Sequence, residues 1–158
     1  MKILKKIFLN EHIILAIILL NSVIIFLQEC NISNVFINTP NAPAAIGAYS
    51  QAVVANGMLF ASGQLGIDPT TGEFAGADFR SQAEQSVKNV AAILEAAGTD
   101  AAHVVKTTVF LTDMANFATL NEVYSTLFKA PFPARSAVAV AQLPKGGLVE
   151  IEVVAVLA

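Results

Sequence analysis

Tryptophan is absent from the 158 residues, cysteine occurs only as Cys30, histidine only as His12 and His103, and arginine only as Arg80 and Arg135. Each scarcity removes a class of chemistry. A single cysteine makes no internal disulfide and no cysteine-based metal site, and neither a metal nor an organic cofactor is expected. His103 has no thiol or second histidine near it in sequence, so nucleophilic triads and metal-assisted hydrolysis lack parts, and it reads as a structural residue at the start of an apolar run. Gly63, Gly66, Gly72 and Gly76 are scattered among turns instead of forming a phosphate-cradling loop. Of the twelve acids only Glu11 and Glu29 precede residue 36, whereas the cations beyond it are Arg80, Lys88, Lys106, Lys129, Arg135 and Lys145. That part is mildly acidic with no basic stripe, which argues against nucleic acid as a partner.

The length suits one domain plus an extension. Residues 1–41 contain one alanine, Ala16, and most of the isoleucines; beyond them alanine dominates and only Ile46, Ile67, Ile93 and Ile151 remain. The expected division is an extension over 1–35 and a domain over 36–158, with no internal repeat or low-complexity linker.

Within the domain, two short apolar runs flank Asn56-Gly57, the pair preferred by tight type I′ hairpins. Asp68 to Gly72 reads as a second turn. Asp78 is placed to cap a helix that runs to about Ala97 and stops at Gly98. Its buried face is expected to carry Ala83, Val87, Val90, Ala91, Leu94 and Ala97, with Gln82, Gln85, Lys88, Asn89 and Glu95 opposite. Val104 to Leu111 is a β-rich run. Phe117, Leu120, Tyr124 and Leu127 give a second amphipathic helix, widened by Val123 and Phe128, with Asn116 as its cap. Strands over 135–141 and 148–157, joined through Pro144-Lys145-Gly146-Gly147, complete a β-β-α-β-α-β-β order. This is an α+β fold: two helices on one face of a mostly antiparallel sheet. Val149, Ile151, Val153, Ala155 and Leu157 alternate with Glu150, Glu152, Val154 and Val156, so the last strand is apolar on both sides. Two helices cover one face; other subunits are expected to cover the second.

Arg135 stands in Ala-Pro-Phe-Pro-Ala-Arg-Ser-Ala-Val-Ala-Val, apolar on both sides of a fixed charge. Its planar fork of donors matches a carboxylate or phosphate, and burial without a partner would be very costly. An internal ion pair, a salt bridge between subunits and a bound substrate anion all answer that requirement.

The blocks Asn41-Ala42-Pro43-Ala44-Ala45-Ile46-Gly47-Ala48-Tyr49-Ser50-Gln51-Ala52, Ala61-Ser62-Gly63-Gln64, Val105-Lys106-Thr107-Thr108-Val109-Phe110, and Phe132-Pro133-Ala134-Arg135-Ser136 with Leu143-Pro144-Lys145-Gly146 and Val149-Glu150-Ile151-Glu152 are, in order and spacing, similar to the reactive-intermediate imine deaminases, the Rid family formerly called YjgF. The resemblance covers about Ile37 to Val156. It implies a chorismate-mutase-like fold and a homotrimer whose sheets pack into a central barrel, with sites at subunit interfaces. It also implies hydrolysis of 2-imino acids such as 2-iminobutanoate and 2-iminopropanoate, products of amino-acid dehydratases, to 2-keto acids and ammonia. Carried over by motif, Arg135 clamps the carboxylate, helped by backbone N–H groups of Gly63 and Ala137. Glu150 positions and deprotonates water, and the Tyr49 hydroxyl lies near the imine nitrogen.

The residue inventory agrees with that chemistry: a fixed cation, one or two carboxylates on a buried strand and a tyrosine suit attack of water on a small, electrophilic anion. Ser62 and Gln64 flank Gly63 and line the same pocket. The structural alternatives are that Glu150 neutralises a buried cation and that Tyr49 is a packing aromatic. Tyr124 falls on a core stripe, Glu152 is structural or interfacial, and Lys106 is a solvated or interface charge. Two departures from the family pattern stand out. Ala137 replaces the cysteine that many relatives carry after Pro-Ala-Arg-Ser, and Gly47-Ala48-Tyr49 replaces Gly-Pro-Tyr. Two other functions compete: a non-catalytic trimer that binds small carboxylates or proteins, and a chorismate mutase, which needs more cations than this domain holds.

Residues 1–35 pose a separate question. Lys2, Lys5 and Lys6 precede an apolar run from Ile13 to Leu27, broken only by Asn21 and Ser22. The pattern resembles an export signal and is shorter than the roughly 20 residues that span a bilayer comfortably. Leu27-Gln28-Glu29-Cys30 is a poor lipoprotein box. The expected alternatives are a membrane-targeting or anchoring segment, giving a membrane-associated or exported protein, and translated upstream sequence ahead of a cytoplasmic one. Deleting 1–35 is expected to leave a folded, active domain of unchanged oligomeric state. Fractionation of the full-length protein in its native cell tests the anchor, and complete recovery in the soluble fraction with an intact N terminus rules it out.

Overall fold

A computed structural model describes residues 34–157, within a compact unit over Asn34–Ala158. The expected signal or anchor helix falls on residues outside those described. The strands are β1 (Val35–Ile37), β2 (Ala52–Ala55), β3 (Met58–Leu65), β4 (Val104–Leu111), β5 (Ala134–Ala139) and β6 (Val149–Val156). The helices are α1 (Phe79–Ala96) and α2 (Phe117–Leu127). One six-stranded sheet runs β1-β2-β3-β6-β4-β5, antiparallel throughout except for the parallel β4–β5 pair. The α+β class and the two-helix layer are as the sequence predicts. The short strand β1 is an addition, pairing Val35 with Val54 at the sheet edge.

Local chemistry explains the boundaries. Asn56 and Gly57 both take positive φ, 51° and 71°, as a type I′ hairpin requires. The Asp78 carboxylate accepts from the Ser81 N–H at 3.0 Å and starts α1, and Gly98 ends it at φ 76°. Asn116 does not cap α2 with its side chain; Asp113 instead accepts from the Ala115 N–H at 2.8 Å, capping a 3-10 turn that leads into the helix. The turn at Pro144–Gly146 does not close a hairpin, because β4 lies between β5 and β6.

One face of the sheet packs on the helices. Leu59, Val109, Leu111, Val149, Ile151 and Val153 meet Val90, Ile93 and Leu94 of α1 and Leu120, Val123 and Tyr124 of α2 in a single core. Gln82 and Asn89, expected on the outer face of α1, are buried instead. The Asn89 amide donates to the carbonyls of Leu65 at 3.0 Å and Ile67 at 2.8 Å. Gln82 donates to the Gly76 carbonyl at 3.1 Å and accepts from the Leu148 N–H at 2.9 Å. The amides face inward because β3 and the loop after it leave main-chain groups that no neighbouring strand satisfies.

The opposite sheet face is open. Phe60, Val138 and Val156 are 47%, 45% and 40% exposed there. Among the described residues no helix is long and apolar enough to cross a membrane.

Asn89→Ala strands two buried carbonyls and is expected to destabilise the domain by about 1–3 kcal/mol. Urea denaturation against wild type measures it, and an unchanged midpoint would show that water replaces the amide.

Candidate active site

A cleft of about 530 Å³ opens on the uncovered side between the loop preceding β2, the middle of β3, the start of β6 and the Pro144–Gly146 turn. The buried Gln51 fixes the first wall. Its Oε1 accepts from the Thr39 N–H at 2.7 Å, and its Nε2 donates to the carbonyls of Thr39, Ala42 and Pro43 at 3.0, 3.2 and 2.9 Å. The loop so pinned delivers Tyr49, 52% exposed, to the cleft.

The second wall is an irregularity in β3. Pairing with β6 shifts between Ala61 and Gln64, so Ser62 and Gly63 fall out of register. Gln64 donates to the carbonyls of Ser62 and Gly63 at 3.0 and 3.3 Å, and Ser86 of α1 donates to the Gln64 carbonyl at 2.7 Å. The Ser62 hydroxyl is committed to the Ser50 carbonyl at 2.7 Å, so this side chain ties the two walls together. A Cβ at residue 63 would overlap the Glu150 carboxylate where it now stands, with Cδ at 2.6 Å, so glycine there lets the carboxylate occupy this position.

Glu150 faces this gap from β6, partly buried and, among the described residues, without a salt-bridge partner. Burial first, and the neighbouring charge of Glu152 second, push its pKa above the ordinary carboxylate value of 4.5. A carboxyl so placed is a better proton acceptor than a solvated one once ionised. Ile46, Leu65, Ile67 and Pro69 supply an apolar wall, and Lys145, held at φ 58°, stands at the rim.

Tyr49, Ser62, Gly63 and Glu150 are therefore neighbours. Arg135 and Ala137 are elsewhere within one chain. Thr107 of β4 lies opposite Arg135 on one side and Val153 on the other, whereas Phe110 lies opposite Val138 and Glu150. Paired residues share a face and successive residues alternate, so Arg135 and Ala137 point to the helix side and Glu150 to the open side. Arg135 leans on α2, its guanidinium 4.6 Å from the Tyr124 ring centre and 5.4 Å from that of Phe117. It donates to Asn121 Oδ1 at 2.8 Å. Among the described residues it forms no salt bridge, so the internal ion pair allowed by the sequence is not what the fold builds.

Tyr124 is a core residue, as expected. Its hydroxyl shares a hydrogen bond of 2.9 Å with Thr107, and burial raises its pKa. Glu152 lies on the face of Glu150, and the Lys106 ammonium donates to Ser136 at 2.8 Å. His103 is partly exposed and paired with Asp100 at 2.8 Å. Asn121, Ile46, Ile67 and Lys145 were not singled out from the sequence; each becomes visible only when elements distant along the chain are brought together.

Fold and cleft together define a small α+β protein with an ionisable carboxyl set beside a backbone irregularity. The family model for endoribonuclease L-PSP matches residues 39–157. The 2-iminobutanoate/2-iminopropanoate deaminase of Rattus norvegicus is 51% identical over 120 residues, covering 76% of this chain and 88% of the rat protein. A Lactococcus lactis protein named "Putative regulator AldR" is 50% identical over 119 residues, covering 75% and 94%. Among solved structures, that of E. coli TdcF with bound serine superposes with a TM-score of 0.74 at 46% identity, covering 78% of this chain and 99% of that one. The chain belongs to the endoribonuclease L-PSP family, which is the Rid or YjgF family.

Because the folded pKa of Glu150 is raised, its ionisation opposes folding: the contribution is favourable in acid and is lost as pH rises through that pKa. Glu150→Gln is thus expected to raise the melting temperature at neutral pH and to have little effect near pH 4. Glu152→Gln is expected to lower the Glu150 pKa, read by carbon NMR of the side-chain carboxyls. A Glu150 resonance titrating at the ordinary value in both proteins would contradict the assigned cause.

Proposed function

We propose that this protein hydrolyses reactive 2-imino acids to 2-keto acids and ammonia, at sites assembled between copies of the chain. The observation that carries the reading is the division of the chemistry: the carboxyl, tyrosine and glycine share one cleft, while the arginine sits across the sheet on the edge strand β5. A second copy placed on the open face supplies what one chain lacks. The partly exposed Phe60, Val138 and Val156 favour such packing, and a homotrimer is the arrangement we propose. Activity is assigned to residues 36–158, with any membrane contact left to 1–35.

In this scheme Arg135 of one copy receives the substrate carboxylate on its planar fork, with the Ala137 N–H beside it and the Gly63 N–H from the cleft. Anchoring the carboxylate presents the C=N carbon to water held by Glu150. The water oxygen bonds to that carbon as Glu150 takes one of its protons, and the C=N pair moves to nitrogen. Tyr49 gives its proton to the nitrogen, Glu150 returns the water's proton to the same nitrogen, and as the carbinolamine collapses to the C=O bond its hydroxyl proton goes back to the Tyr49 oxygen and ammonia leaves. The rat relative's name supports this chemistry, and serine bound to TdcF supports a small carboxylate as ligand. A second reading, carboxylate binding without turnover, draws its support from the relative named as a regulator.

The test generates 2-iminobutanoate in place with a threonine dehydratase and follows its decay with and without the protein. Acceleration is expected, and none would leave the binding reading. Glu150→Gln should slow turnover by about 10²–10⁴-fold while keeping keto-acid binding. Arg135→Lys should lose most activity with assembly intact, since lysine keeps the charge without the fork. Wild-type rates in either variant would remove that residue from the mechanism.

A further inference from the structure

The chain has two arginines, and α2 treats them differently. Glu122 turns to Arg80 of α1 and forms a salt bridge. The preceding residue, Asn121, turns to Arg135 and offers an amide oxygen at 2.8 Å. The other neighbours of the Arg135 guanidinium are the ring faces of Tyr124 and Phe117. Those faces attract a cation through their quadrupoles and contribute no net charge. Tyr124 is itself fixed, by its bond to Thr107 and by Phe128, whose ring centre is 4.3 Å away. One helix thus gives one arginine a carboxylate and the other three neutral supports.

We infer that Asn121 is a positioning residue for Arg135, holding the guanidinium with a neutral acceptor so that its whole charge remains for a substrate carboxylate. This rests on the deaminase reading for the identity of the anion. Aspartate has the same shape and would make the stronger bond, because an ionised acceptor shortens and strengthens it. On stability alone it would be the better residue. It would also neutralise the cation, and a carboxylate ligand would then meet a pair of zero net charge. Asparagine fixes the direction of the fork without that loss. Oδ1 occupies the Nη2 end of the group; the remaining N–H donors carry no hydrogen bond among the described residues.

The inference predicts that affinity and stability change in opposite directions. Asn121→Asp should melt at or above the wild-type temperature, yet bind 2-oxobutanoate at least about tenfold more weakly. KM for 2-iminobutanoate should rise by the same factor, with kcat changed by less than about threefold. Asn121→Ala should melt lower and lose only several-fold in affinity, since the cation stays but is less well aimed. Binding of 2-oxobutanamide, which has no carboxylate, should be equal in wild type and Asn121→Asp. Titration calorimetry, steady-state kinetics and thermal melts supply the readouts. If affinity instead follows stability, with alanine worse than aspartate, Asn121 is merely structural and the inference fails while the deaminase reading stands. If wild type binds 2-oxobutanoate without accelerating imine decay, the deaminase reading fails, and the order of the two variants still decides the role of Asn121. A wild type that binds no keto acid overturns both.

Discussion

Side chains alternate along a strand, and in this protein that alternation governs more than core packing. Once β6 sends Val149, Ile151 and Val153 toward the helices, Glu150 and Glu152 must face the other way. Once Thr107 of β4 is buried against Tyr124, its partner Arg135 on β5 must share the helix side. Slipping either strand by one residue would bring cation and carboxyl to one face, but it would expose the whole core set. The division of charged groups between faces is therefore tied to the register that stabilises the fold. It is the structural ground for the proposed assembly of sites between copies.

The cleft depends on a second constraint, the break in pairing at Ser62-Gly63. A strand that leaves register leaves polar main-chain groups behind, and buried ones must find partners. Here Gln64, Ser86 and Asn89 supply them from the side, while Gln51 and Ser62 fasten the loop that carries Tyr49. Amides and two hydroxyls inside an otherwise apolar layer are thus the scaffold of the site. They keep a backbone irregularity rigid beside a carboxylate whose position leaves no room for a methyl group at residue 63.

This also explains which parts of the molecule were legible in the sequence. The helices, the hairpin at Asn56-Gly57 and the caps at Asp78 and Gly98 follow from local periodicity and φ preference, and they were. Asn116 holds the N-cap position of α2 as expected, but its side chain makes no capping bond, because the preceding Asp113 already caps the 3-10 turn that leads into the helix. Gln82 and Asn89 were placed outside because a polar side chain on a helix is ordinarily solvated; the Leu65 and Ile67 carbonyls draw Asn89 inward, and the Gly76 carbonyl and Leu148 N–H draw in Gln82. The cleft residues Tyr49, Ser62, Gly63 and Glu150 carried a signal in their family blocks. The separation of Arg135 from them did not, because a motif gives order along the chain and says nothing of which sheet face each residue takes.

The remaining question is how the fold keeps a cation and a carboxyl that form no salt bridge among the described residues. The cation is spread over a planar group, backed by two rings and one amide oxygen, so neutral groups replace part of its hydration without cancelling its charge. The carboxyl has no such cradle, and its raised pKa reports the free energy withheld from it. The two solutions match the different tasks proposed for the two groups. A group that must attract an anion has to stay charged at every working pH, which guanidinium does and which neutral support preserves. A group that must accept a proton and return it gains from an ionised form that is less stable than usual. Pairing the two inside one chain would satisfy both charges and leave neither able to act on a ligand.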